Sequence, residues 1–454
     1  MPSNILEDKN ITKLLIKMSV PAMTGMFVMA TYNIVDMIFI GRFVGPMAIA
    51  SILILAPFNL LIFAISTMIG VGGASIYSRL LGAKRTNLAT FALTNVIRLS
   101  VVLGAFITII SFFEMENILS MLGTNEKTYI YAKNYFSINL WGTLPLIFSI
   151  SLNNIARAEG RAKLAMGTMF VSALINLLLD SILIVKYNMG VRGAAYATII
   201  AELLTATYLI MFFIREKGNI LLKRVLSFKK KKATSFTIKQ IFTVGLSSFL
   251  NQMSASVMVL ILNSQLIKYG GNIAVTVFAI FHRTSLFIFM PIYGIAQGMQ
   301  PIAGFNFGAK KYKKTIEVIF SAIRFGTVFA TFGFILLIFF PNLILSIFTS
   351  DTSVLAFGKN GIRILGLAFP LIPFYMMGSV AFQSLGKPVP ALILIIMRQL
   401  VILVPLILIL PYFFNISGIW FSIPLADFLS FTVVLILLNK QIKKLKKLSL
   451  VEVI

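Results

Sequence analysis

Long apolar runs separated by short polar ones set the pattern of this chain. Charge-free runs cover Phe43–Ser78, Asn134–Ala156, Gln240–Ile267, Thr284–Ala309, Phe325–Ser350 and Ile364–Gly386. Six more runs are interrupted by single charges: Met18–Ile40 by Asp36, Thr86–Phe113 by Arg98 and Leu164–Val185 by Asp180. Gly193–Ile214 holds Glu202, Val389–Leu410 holds Arg398 and Gly418–Leu438 holds Asp427. A spanning helix needs about 20 mostly apolar residues, so the pattern predicts twelve. Strands of a membrane barrel alternate apolar and polar positions over about ten residues, and these runs do not alternate. The predicted fold is an all-α polytopic membrane protein. The N-terminus, MPSNILEDKN, has no apolar core or cleavage site and reads as no signal peptide.

Loop charges predict the orientation. Of the 40 Lys and Arg residues, 28 fall on alternate inter-span segments and the two tails, and 7 on the opposite loops. The positive-inside rule then places both termini in the cytoplasm of a cell membrane. The longest polar stretch, Arg215–Lys239 with its Lys229–Lys232 run, reads as a basic linker that stops transfer. Docking on anionic lipid is its alternative role. The expected organisation is an N-terminal six-helix lobe over 1–214, a linker over 215–238, a C-terminal six-helix lobe over 239–440 and a basic tail over 441–454.

Composition narrows the function classes. Only 12% of residues are charged against roughly 25% in soluble chains, and 58% are hydrophobic with mean hydropathy +0.95. The net charge of +26 therefore reflects topology, and nucleic acid is excluded as a partner. The absence of Cys and the single histidine, His282, exclude thiolate and His-based metal centres and Cys nucleophiles. No cofactor is expected.

A shift of 226 residues aligns the chain with itself. GVGGASIYSRLLGAKR from Gly70 meets AQGMQPIAGFNFGAKK from Ala296, which sets Gly82-Ala83-Lys84 on Gly308-Ala309-Lys310. Arg98 meets Arg324, and RAEGRAK from Arg157 meets QSLGKPV from Gln383. After one deletion Glu202 falls on Asp427. The shift spans six helices, an even number, so it predicts two parallel-repeat six-helix bundles related by a pseudo-twofold axis along the membrane normal. The two repeated strings, above all Gln300-Pro301 with Asn306-x-Gly308-Ala309, resemble the multidrug and toxic compound extrusion (MATE) family. The resemblance runs along the whole chain. FAIFHRTSLFIFMPIYGIAQG and IIMRQLVILVPL are similar to the prokaryotic branch that includes DNA-damage-inducible protein F and staphylococcal multidrug extrusion proteins.

An acid at mid-span costs on the order of 2.5–3.5 kcal/mol on insertion scales, so each is a functional candidate. Ten of the fourteen acids lie in tails or loops, and Asp36, Asp180, Glu202 and Asp427 do not. Tyr32 and Asn33 precede Asp36 by four and three residues and share its helix face, and Asn176 lies one turn before Asp180. Two shielded carboxyls with such escorts can hold a proton whose release follows solvent access. With the Asn176 carbonyl, Asp36 and Asp180 form an oxygen-rich set suited to sodium. Pairing of Asp36 with Arg42 at the interface is the structural alternative. Glu202 and Asp427, as repeat mates, are expected to share a structural role, with Arg398 the partner for Asp427. Arg98 and Arg324 are expected to snorkel.

The MATE resemblance implies coupling carboxylates on spans one and five with an Asn one turn before the second. Asp36, Asn176 and Asp180 match these positions. It further implies a supporting role for Thr198, with Asn153 and Asn154 completing the network. Another branch carries acids on spans seven and ten, and neither span does here. Tyr135, Phe136, Met253, Met290 and Tyr293 are expected cavity-wall residues, with Arg283 facing the same space. The implied activity is secondary active export of lipophilic or cationic small molecules by a monomer in the bilayer, in exchange for protons or sodium. A lipid-linked oligosaccharide flippase is the alternative within transport. A membrane-embedded transferase lacks any visible catalytic constellation.

Overall fold

The computed structural model describes residues 5–218, 221 and 231–451. Residues 219, 220 and 222–230 of the basic linker, including Lys229 and Lys230, and the last three residues of the tail lie outside that range. Every element among the described residues is helical. In chain order the helices are α1 (Ile11–Phe43), α2 (Pro46–Ile54), α3 (Ala56–Gly82), α4 (Thr86–Phe113) and α5 (Met115–Met121). They continue with α6 (Glu126–Ala158), α7 (Ala162–Asp180), α8 (Gly190–Lys217), α9 (Lys231–Gly308) and α10 (Tyr312–Phe339). The series ends with α11 (Pro341–Phe348), α12 (Thr352–Gly366), α13 (Ile372–Ser384), α14 (Pro388–Ile396) and α15 (Val404–Val451). Short π-helical segments, Ser181–Lys186 and Met397–Leu403, follow α7 and α14.

Among the described residues, ten helical stretches are long and apolar enough to cross a bilayer. Two of them exceed a single crossing. At 1.5 Å per residue the 78 residues of α9 would run about 117 Å if straight, against a hydrocarbon core of about 30 Å. The run is broken at Gly271, where φ is 60° and ψ is −162°. The 48 residues of α15 are broken at Asn415, with φ 48° and ψ −135°. Glycine and asparagine are the residues that tolerate positive φ.

The repeated strings of the sequence turn out to be helix ends. Lys84 and Lys310 both take positive φ, 56° and 62°, just past α3 and α9. Lys84 N–H donates to the Leu81 carbonyl and Arg85 N–H to that of Leu80, both at 2.9 Å. Lys310 and Lys311 repeat this to Phe307 and Asn306, at 3.1 and 2.9 Å. Gly160 and Gly386, with φ 86° and 66°, close α6 and α13 the same way. This double bond from the two residues beyond a helix satisfies carbonyls that would otherwise be orphaned. Gly45 and Gly271 form a third pair of positive-φ residues 226 apart.

The chain forms two compact units, Thr24–Phe249 and Met1–Met23 with Leu250–Ile454. The divisions fall inside α1 and α9, whereas the sequence suggested the linker. Glycines allow it. In the first unit, a Cβ on Gly72 would lie 2.1 Å from the Ile241 carbonyl oxygen, and one on Gly245 2.0 Å from that of Met68. The start of α9 therefore packs backbone to backbone on α3. In the second unit, Gly298 and Gly294 press the same way on Ser19 and Met23 of α1, at 2.9 and 2.8 Å from their backbone nitrogens. In the first unit α6 packs against α3, α4 and α8, around a core that includes Phe136, Leu140, Ile147, Leu152 and Phe213. The second unit's main core joins Leu262, Phe281, Leu337, Phe369 and Trp420.

Candidate functional site

In the unit Thr24–Phe249, α1 and the end of α7 bring the carboxyl groups of Asp36 and Asp180 within reach of each other. Ionised carboxylates only accept hydrogen bonds, so two carboxyl groups this close can share a single proton. Asp180 is fully buried, at the point where α7 passes into the π-helical turn. The Oδ1 atoms of both residues are buried without a hydrogen-bond partner. Turned with its nitrogen toward Asp180, the Asn176 amide donates to Asp180 Oδ2 at 3.1 Å and accepts from Thr198 N at 3.3 Å. In the other orientation it donates to Thr198 Oγ1 at 3.3 Å. Asn176 therefore contacts Thr198 of α8 either way. Tyr32 and Tyr135 lie in the electrostatic field of Asp36, Asp180 and Glu202. Of the five ion pairs among the described residues, none includes these three acids. The expected alternative, Asp36 with Arg42, is thus not formed.

Several expected members stand elsewhere. Asn33 is exposed and folds back to donate to the Met29 carbonyl at 2.8 Å, a local bond that short polar side chains favour in helices. Asn153 and Asn154 belong to a different centre. Arg157 donates to their side-chain oxygens at 3.1 and 3.0 Å, and Asn153 donates to Thr168 at 3.0 Å. Phe136 is fully buried with its ring edge-on to Phe58, a core residue rather than a cavity wall. Neighbouring Tyr135 is buried in the same core and lies within electrostatic range of the acids. In the other unit Met253 and Met290 are half-buried, while Tyr293 and Arg283 are exposed. Two cavities of about 410 and 400 Å³ contain none of the expected wall residues. One is lined by Thr12, Ser321, Arg324, Phe325 and Val328, the other by residues around Glu116 and Lys133.

The repeat mates Glu202 and Asp427 have different surroundings. Asp427 accepts from Arg398 at 2.7 Å, and the Arg398 guanidinium stacks over the Tyr375 ring at 5.1 Å. Glu202 has no such partner among the described residues. Its Oε2 lies against the gap left by Gly142, where a Cβ would come within 3.0 Å. The shared structural role expected of the two acids is therefore not what the structure displays.

One centre escaped the sequence reading. Glu159, counted there as a loop acid, accepts from the Tyr77 hydroxyl at 2.9 Å and pairs with Lys217. Beside it Arg161 pairs with Glu216 and lies 3.7 Å from Glu159. The only sequence signal is that Glu159 stands on Leu385 in the repeat, an acid present in one half alone.

Comparison with known proteins places this architecture. The sequence profile of the MatE family matches residues 21–182 and 247–409, two stretches that begin 226 residues apart. A curated relative, the multidrug export protein MepA of Staphylococcus haemolyticus, is 29% identical over 453 residues, covering 98% of each chain. Among solved structures, a MOP superfamily transporter from Pyrococcus furiosus superposes with a TM-score of 0.89 at 27% identity. The match covers 98% of this chain and 99% of that one. A MATE structure in complex with MaL6 gives 0.90 at 27% identity, covering 98% and 100%. With both halves matched by the profile and the fold shared from end to end, this multi-pass membrane protein belongs to the MatE family of transporters.

Proposed function

We propose that the protein is a secondary active antiporter that exports lipophilic or cationic small molecules in exchange for protons or sodium, coupled at Asp36 and Asp180. The observation that carries this reading is the buried carboxyl–carboxyl contact, with two further oxygens left unpartnered. A shared proton is the simplest occupant of such a contact, which favours protons over sodium. Asn176 and Thr198 hold Asp180 in place, and Tyr32 and Tyr135 offer ring faces and hydroxyls beside the acids. A cation near these rings gains from both the carboxylates and the aromatic faces.

Transport in one direction needs proton and substrate to favour different states, because a ligand shifts an equilibrium only by its differential affinity. A bend in α1 suits this. The chain passes from one unit to the other between Met23 and Thr24, flanked by Pro21 and Gly25. Proline removes a backbone hydrogen bond there. The loop charges support twelve crossings with both termini cytoplasmic. The export of multiple drugs is proposed by likeness to the staphylococcal relatives named for it.

The test is efflux of a cationic dye from proteoliposomes under an imposed pH or sodium gradient. Asp36→Asn and Asp180→Asn are each expected to abolish gradient-driven efflux while leaving the protein folded. Undiminished efflux in both variants sinks the coupling assignment. Efflux driven by sodium alone at symmetric pH moves it from proton to sodium.

A further inference from the structure

At one end of the unit Thr24–Phe249, the loop between α6 and α7 and the last turn of α8 carry a charge-balanced cluster. Glu159 pairs with Lys217 and Glu216 with Arg161. The repeat places Leu385 at the position of Glu159, Lys387 at Arg161 and, past the single deletion, Gln441 at Glu216. The contact survives the change of residues, since Lys387 hydrogen-bonds the Gln441 side-chain oxygen as Arg161 pairs with Glu216. Both acids are gone and the cation is kept. Burial, and then the nearby charge of Lys444, hold the Lys387 ammonium below its usual range.

The surroundings add positive charge only. The end of α15 buries Gln441, Ile442, Leu445 and Ser449 and exposes Lys440, Lys443, Lys444 and Lys447, with Lys444 and Lys440 about 60° and 100° around the helix from Gln441. That spacing, i, i+3, i+4, i+7, is a single helix stripe. No ion pair among the described residues involves Lys387 or any lysine of this stripe. Like charges gathered beside a partly buried ammonium repel one another, so the cluster calls for an external anion.

We propose that Lys387, Lys440 and Lys444 bind the phosphate of an anionic lipid headgroup at this end of the second unit. A lipid is favoured over a free anion because the lysines continue an apolar helix without a loop. Lys440 stands two residues past Leu438, about 3 Å along the axis. Exposed Val389, Leu448 and Leu450 flank the cluster with apolar surface. Juxtamembrane lysines attract anionic lipid by an amount equivalent to roughly fivefold in affinity each.

The experiment titrates the full-length protein in detergent with short-chain phosphatidylglycerol, short-chain phosphatidylcholine and inorganic phosphate, read by native mass spectrometry and thermal stabilisation. Phosphatidylglycerol is expected to bind and stabilise, and phosphatidylcholine is not. Lys387→Gln is expected to weaken binding about fivefold, and Lys387→Gln with Lys444→Gln about thirtyfold. Lys133→Gln, in the other unit, is expected to leave it unchanged. Gln441→Glu restores the acid that Glu216 supplies in the first unit. It is expected to release phosphatidylglycerol while keeping the melting temperature in phosphatidylcholine, which separates loss of the site from loss of the fold. Equal binding of both lipids overturns the proposal, as does retention of phosphatidylglycerol by Gln441→Glu. Displacement of the lipid by millimolar phosphate overturns the lipid as occupant.

Discussion

Removing one partner of the Arg398–Asp427 pair leaves the other charge stranded. The two side chains are 17% and 3% exposed and bonded at 2.7 Å, so neither recovers water when its partner is lost. Breaking a buried pair on one side costs about 3–5 kcal/mol, whereas replacing both members by apolar residues of similar volume is often neutral or stabilising. Arg398→Met and Asp427→Leu singly are therefore expected to destabilise by about 3–5 kcal/mol. For a unit of some 200 residues this corresponds to roughly 6–20 °C in melting temperature. The double variant is expected to return to within about 2 kcal/mol of the parent, with Met still packing on the Tyr375 ring. The assay is thermal unfolding of the purified protein in detergent, run as a double-mutant cycle with dye efflux measured in parallel. A double variant as unstable as the worse single variant would falsify mutual neutralisation as the reason for the pair. Single variants of parental stability but without efflux would assign the pair to substrate handling instead.

Three other expectations follow from the geometry. Gly72→Val drives side-chain atoms into the Ile241 carbonyl and is expected to lower stability by about 3 kcal/mol or more. Gly167→Ala meets nothing within 4 Å and is expected to raise stability by about 0.5–1 kcal/mol; comparable melting temperatures for the two would refute the close helix contact. Asp351 caps α12 by accepting from the Ser353 hydroxyl and N–H at 2.6 and 2.8 Å, which holds its carboxyl below the usual range. Its stabilisation is present above that range and lost as pH falls through the lowered value, so the melting difference between parent and Asp351→Ala should shrink in acid; a gap constant from pH 7 to 3 would contradict the cap. Glu202→Gln is expected to leave melting unchanged, since no ion pair is broken, and to slow efflux of cationic dyes; a loss of several kcal/mol would show a hidden structural partner.

What could be read from the sequence was what depends on local chemistry. The repeated strings around Lys84, Gly160, Lys310 and Gly386 stood out because a helix end needs a positive-φ residue at a fixed offset, and that need survives divergence of the rest. The family resemblance assigns Asn153 and Asn154 to the Asp36–Asp180 network instead of to Arg157, although Arg157 stands four and three residues on, within helix-neighbour reach. The Glu159 cluster was not readable, since its partners Tyr77 and Lys217 lie 82 and 58 residues away. Repeat alignment misled at Glu202 because it transfers backbone position and not partners. Arg398 precedes the helix that carries Asp427, whereas α7 offers no cation beyond Lys163 at its start, so Glu202 had no arginine to inherit. This absence explains the division between the halves. An acid neutralised by a buried arginine is committed to the fold, because any change in its charge costs stability. Asp36, Asp180 and Glu202 in the first unit have no ion pair among the described residues, and a mobile cation or a proton is what can supply a counter-charge.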